Sequence, residues 1–229
     1  MSAAFRESPG FEHSARVSTR RPLHGRPAWI RWAILRLAAV SSASPRELEE
    51  KLKVPRQTVA AATAALQRQA VDLSNQVKVV EQWESEYPGP GGILRGWFSA
   101  APVTHQARSA AEFATSREVG AVITGDVAAD SYAPWRLPRT AHLFLANDLD
   151  LSMVPGVVPT SLEHATLVTQ IPDDRTVFHT AEHRAAEGRL ADPLNTLQGV
   201  EQSGGSDAAE AATKLREAIT RPVGKAAAA

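Results

Sequence analysis

Apolar positions change their rhythm along the chain. Between Pro27 and Gln69 they recur at helical spacing, and beyond Gly92 short apolar runs alternate with helical stretches. In PAWIRWAILRLAAV, Ile30, Ile34 and Leu37 fall on one stripe with Trp29 and Val40 beside it, and Pro27 suits the first helical position. Arg31 and Arg36 lie off that stripe. A second helix begins at Ser44, where Ser44 and Glu47 form the S-x-x-E capping box around Pro45. Its Leu48 and Leu52 face inward. Pro55 forces Val54 out of the helical region, so this helix ends near Lys53. A third helix, RQTVAAATAALQRQ, then buries Val59, Ala62 and Leu66.

The pattern weakens in VDLSNQVKVVEQW, Val71 to Trp83, which predicts a short hairpin turning at Asn75-Gln76. SEYPGPGG, Ser85 to Gly92, holds two prolines and three glycines and predicts a linker and domain boundary. Beyond it the chain reads as a helix around Val103 to Thr115, then AVITG as a strand or the start of the next helix. DVAADSY reads as helix, AHLFLA as strand, and NDLDLSMVPG as helical turn or loop. HATLVTQIP follows as a strand, TVFHT as a further strand, and RLADPLNTLQGV as a short helix. A last helix, capped by Ser206, carries Ala208, Ala212, Leu215 and Ile219 on its apolar side. The expected fold is α+β. A disordered basic arm, residues 1–26, precedes a winged-helix-like helix-turn-helix domain at 27–84. A mixed α+β domain at 93–221 and a flexible tail at 222–229 follow.

Composition narrows the function classes. The 229 residues include no Cys, which excludes disulfides, Cys-ligated zinc and Cys nucleophiles. No apolar run approaches the roughly 18 residues of a membrane span, and the N-terminus lacks the apolar core of a secretory signal. A cytoplasmic protein without membrane contact is expected. Formal net charge is zero but uneven: residues 1–80 hold 13 Lys+Arg against 6 Asp+Glu, and the remainder reverses that excess. Such asymmetry fits a polyanion partner for the first half; the plainer reading is a basic tail, since seven of those arginines lie in the first 36 residues.

The two helices from Ser44 to Gln69 therefore raise a specific chemistry. In a helix-turn-helix, the second helix presents its N-terminal residues to major-groove base edges. Here that face would offer Arg56, Gln57, Thr58, Ala61 and Arg68. Arg and Gln can read bases, Thr can meet a phosphate or a thymine methyl, and small alanines at 60–62 allow close approach. Lys53, Arg31 and Arg36 are expected to add backbone contacts. The turn carries Lys53 where Gly is usual, and Glu49 where a small residue usually packs. The competing reading is a three-helix interaction module that touches no DNA.

Other motifs are weaker. HTAEH, His179 to His183, has the H-x-x-E-H form of a zinc peptidase, but two surface histidines in a loop account for it. Asp148 and Asp150 form a D-x-D as in nucleotidyltransferases, yet beyond the strand that would normally carry it; a solvated acidic loop is the alternative. Trp135, Arg136 and Arg139 form a basic-aromatic cluster that is either a partner-binding loop or the edge of a core. No cofactor or metal is expected.

In order, the chain resembles the AbiEi family, the antitoxin and transcriptional-repressor half of type IV toxin–antitoxin systems. The resemblance covers roughly residues 28–221. It rests on the helix-turn-helix, on AVITGDVAADSYAPWRLPRTAHLFL, on HATLVTQIPDDRTVF, and on the closing helices LADPLNTLQ and DAAEAATKLREAI. It implies a winged-helix domain that binds the operon's own promoter, with a dimer on DNA as one arrangement. It also implies an antitoxin domain countering a nucleotidyltransferase-like toxin, and no catalytic residues. The alternatives are a nucleotidyltransferase-like enzyme and a protein-interaction module that does not bind DNA.

Overall fold

A computed structural model describes residues 14–17, 26–41, 44–184 and 188–221. Four helices come first: α1 (Arg26–Val40), α2 (Pro45–Leu52), α3 (Arg56–Arg68) and α4 (Gln76–Glu86). A short strand, β1 (Ser14–Val17), precedes them. Then follow β2 (Gly92–Phe98), α5 (Val103–Ser116), β3 (Ala121–Thr124), α6 (Gly125–Tyr132), β4 (Ala141–Leu145), β5 (Val158–Thr160) and β6 (Leu167–Ile171). The chain closes with α7 (Val177–Thr180), β7 (Glu182–Arg184), β8 (Gly188–Leu190), α8 (Pro193–Gln202) and α9 (Ala208–Thr220). Helices and strands are mixed along the chain, as the α+β expectation has it.

The strands form one mixed sheet in the order β1-β2-β6-β4-β3-β8-β7, with β5 also on β2. The β6–β4 and β3–β8 pairs are parallel and the others antiparallel. Alternation along the strands sorts the core. Ile123 and Leu143 pair across β3 and β4 and point toward Ala107, Ala110 and Ala114 of α5. Val122 and Phe144, the next pair, point to the other face and meet Val177 and Ala191.

Helices from the two ends of the chain share a second core. Leu48, Leu52, Val59, Leu66, Val79, Val80 and Trp83 join Leu194, Leu197, Val200, Ala212, Leu215 and Ile219 in one apolar cluster around α1. Arg216 of α9 clamps the arrangement from outside, donating to Glu84 of α4 at 2.6 Å and to Glu201 of α8 at 2.8 Å. The stretch read as a linker is a buried crossing. The Pro90 carbonyl accepts from the amides of Asp173 and Asp174, and the Gly91 carbonyl from the Gln170 side chain. Gly92 has φ +97°, and a Cβ there would lie 1.9 Å from the Ile171 carbonyl oxygen, so no other residue fits that step.

Several local expectations are corrected. Residues 76–86 are a helix, so the hairpin that would have made a wing is absent. The Asn75 side chain caps that helix by accepting from the Lys78 amide, and Val79, Val80 and Trp83 form its buried stripe. Residues 177–180 are one helical turn instead of a strand. The last helix has Asp207, not Ser206, at its N-cap position. Within the expected basic arm, residues 14–17 pair with β2. The rest of that arm, apart from Arg26, and the tail at 222–229 lie outside the described residues.

Candidate nucleic-acid interface

The first turn of α2 is built as its sequence dictates. Ser44 Oγ accepts from the Glu47 amide, and Glu47 Oε2 accepts from the Ser44 amide at 2.6 Å. These bonds hold the Glu47 carboxyl below its ordinary pKa. The helix stops at Lys53, whose φ of 52° is left-handed; Lys stands where Gly would be unstrained, so a lysine is tolerated at some backbone cost. Pro55 then opens α3, with its carbonyl accepting from the Thr58 amide at 2.8 Å. Leu48 and Leu52 of α2 and Val59 and Leu66 of α3 are buried at the crossing.

That crossing fixes what α3 turns outward. Arg56, Gln57, Ala60, Ala61, Gln67 and Arg68 are exposed, and at 100° per residue they fall on one continuous arc. Four of the five expected base-reading residues, Arg56, Gln57, Ala61 and Arg68, therefore share a face. Thr58 is half-buried and turned toward α1. Gln67 was missed, although it lies on the same periodicity as Arg56 and Ala60. Lys53 is exposed at the turn. Lys53, Arg56 and Arg68 make no ion pair among the described residues.

Arg31 and Arg36 do not belong to this surface, and their expected phosphate contacts are corrected. The Arg31 side chain is 9% exposed and is held by Glu86, with Nε to Oε2 at 2.7 Å and a second contact through Nη2, which also donates to Gln69. Arg36 is fully buried. It donates to Asp174 at 3.0 Å and to Thr176, reaches Tyr87 at 3.3 Å and Asn195 at 3.4 Å, and lies 3.6 Å from Asp192. Burial alone disfavours its charge, but Asp174, Tyr87 and Asp192 outweigh that cost and its pKa is raised. Arg36 has no surface left for a phosphate, and the charge of Arg31 is already met by Glu86.

The Trp135 cluster divides in the same way. Arg136 faces inward, pairing with Asp126 at 2.7 Å and Asp207 at 2.8 Å and donating to Ser203. Asp126 also accepts from the Arg139 amide at 3.1 Å, so both arms of the loop are fixed. Arg136 is thus a clamp, not a contact residue. What the clamped loop presents is Trp135, 48% exposed, and Leu137, 88% exposed. Lys214 lies 5.4 Å from the Trp135 ring centroid, and the Arg139 side chain stays exposed beside Asp207. Leu137 was not foreseen as a contact residue; its place between two prolines was the available signal.

The weaker motifs separate. His179 ends a helical turn while His183 is on β7, so HTAEH is not one helix and does not bring its two histidines onto one face. Asp148 pairs with Arg95 at 2.5 Å, and Asp150 caps the Ser152 amide. Among the described residues no three His, Asp or Glu side chains converge as metal ligands would, and no helix is long and apolar enough to cross a membrane. No family model matches the chain, and no curated protein or solved structure matches it significantly.

Proposed function

We propose that this chain is a sequence-specific DNA-binding regulator that represses its own operon as the antitoxin of a type IV toxin–antitoxin pair. The observation that carries the DNA half is the outward arc of α3, where Arg56, Gln57 and Arg68 frame exposed alanines and Arg56 and Arg68 form no ion pair among the described residues. Arg56 and Gln57 at the helix start are placed to meet base edges, with Lys53 and Arg68 on phosphates. With α4 where a wing was expected, reading rests on α3 alone. The antitoxin half comes from the family resemblance. Its partner would be a nucleotidyltransferase-like toxin, met through the Trp135–Leu137 loop, and the chain itself would have no catalytic role.

The test is a mobility shift with the duplex upstream of the chain's own coding sequence, at two salt concentrations and against an unrelated duplex. Tight, salt-sensitive, competitor-resistant binding that weakens in Arg56→Ala supports the reading. Binding no better than to the competitor shifts it to a protein-interaction module. Metal-dependent nucleotide turnover lost in Asp148→Asn or Asp150→Asn would instead make it an enzyme.

A further inference from the structure

A cleft of about 740 Å³ opens between the start of α1 and the length of α3. Short side chains create it. Ala61, Ala62 and Ala65 of α3 stand opposite Ala28 and Ile30 of α1, leaving a gap that larger residues would close. At one end Arg31 donates hydrogen bonds to both Glu86 and Gln69. At the other, three helical turns away along α3, stand Gln57 and Thr58.

These features define an occupant. The volume lies within the roughly 300–1,000 Å³ of small-molecule sites. The walls call for an apolar body. The polar end offers donors and acceptors without net charge, because Glu86 already neutralises Arg31, so an ion gains no counter-charge there. We propose that this cleft binds a small uncharged molecule with an apolar body and a hydrogen-bonding group directed at Arg31, Glu86 and Gln69. Because Gln57 and Thr58 line the cleft from the first turn of α3, an occupant touches the same turn that carries Arg56. An effector role for the site rests on the DNA reading; the binding site itself does not.

The experiment titrates N-phenyl-1-naphthylamine, an uncharged apolar fluorophore, into the full chain without DNA. Saturable enhancement with one site per chain is expected. Ala65→Phe, on the cleft side of α3 and off its outward arc, fills the gap and should weaken binding at least ten-fold. Ala65→Leu, a smaller filler that keeps helix propensity, should weaken it by a lesser factor. Leu137→Ala should change nothing, since it alters exposed apolar surface elsewhere. Circular dichroism and melting verify that each variant is folded. Absence of saturable binding, or equal affinity in folded Ala65→Phe and Ala65→Leu, overturns the proposal. So does probe binding that falls as the chain self-associates at higher concentration, which would assign the cleft to a second copy. Failure of the mobility shift leaves all these readouts intact, so the two readings fail separately.

Discussion

Arg36 and Arg56 show how burial decides what one residue type does. Arg36 is on a helix buried nearly all round and reaches five polar side chains from three other segments. Arg56 begins a helix with one exposed face and finds no acid partner among the described residues. The first arginine organises the interior of the chain; the second is available to something outside it. Positive charge in the sequence is thus a poor guide to a nucleic-acid surface until the internal pairs have been subtracted. Among the residues expected to make contacts, subtraction removes Arg31, Arg36 and Arg136, whereas Lys53, Arg56 and Arg68 keep an exposed charge with no ion pair among the described residues.

The contrast can be broken at several points. The largest expected effect is at the interior. Arg36→Met strands Asp174 and Asp192 without their cation and should cost about 4 kcal/mol, lowering the melting temperature by about 10 °C. A stable Arg36→Met would mean that the buried node contributes little. Leu197→Ala asks whether the helical core truly continues across the buried crossing at 85–92. Loss of about 3 kcal/mol in urea unfolding, as one cooperative transition, is expected; two separate transitions would divide the molecule there.

Acid probes the sheet face rather than the helices. His142 has a buried Nε2 without a hydrogen-bond partner, and burial holds its pKa down at about 4. The folded state therefore binds the proton more weakly than the unfolded chain, whose histidine titrates near 6.5. Stability is full above that value and is lost as pH falls from about 6.5 toward 4, by about 2 kcal/mol at pH 5. Urea midpoints at pH 7 and pH 5 check this, and His142→Gln should flatten the dependence. On the exposed side, Arg56→Ala should leave the melting temperature nearly unchanged while weakening DNA binding about ten-fold and reducing the salt slope by about one. A variant that unfolded instead would place Arg56 with the interior arginines. The smallest change, Ser44→Ala, removes one half of the capping box and should cost about 1 kcal/mol.

Legibility followed the range of the interactions. The capping box at Ser44, the stop at Lys53, the start of α3 at Pro55 and the strand at 141–145 are set within a few residues and are readable, whereas AVITG leaves strand and helix start open and contains both, a strand to Thr124 and a helix from Gly125. Asn75 reads as a turn residue only weakly, since Asn75-Gln76 lacks Gly; the cap it forms, with Val79, Val80 and Trp83 on one stripe, is the competing signal and the stronger one. TVFHT is β-branched and apolar, yet it forms a helical turn because Val177 must reach Phe144 on the sheet while Thr176 meets Arg36. The outward arc of α3 followed from local periodicity. The burial of Arg31 and Arg36 did not, because their partners lie 55 and 138 residues away in sequence.

That separation has a consequence for how the chain comes into being. During synthesis α1 emerges well before its partners, and its buried charge has no counterion until Asp174 and Asp192 have been added. The apolar wall behind it is completed only by Leu194, Leu197, Ala212 and Leu215. Closing contacts over such spans is slow, because loop entropy must be overcome before the pairs form. The helix-turn-helix is therefore expected to mature last rather than first. A product cut short before α8 and α9 would hold the residues of α3 without the support that aims them, and would not be competent.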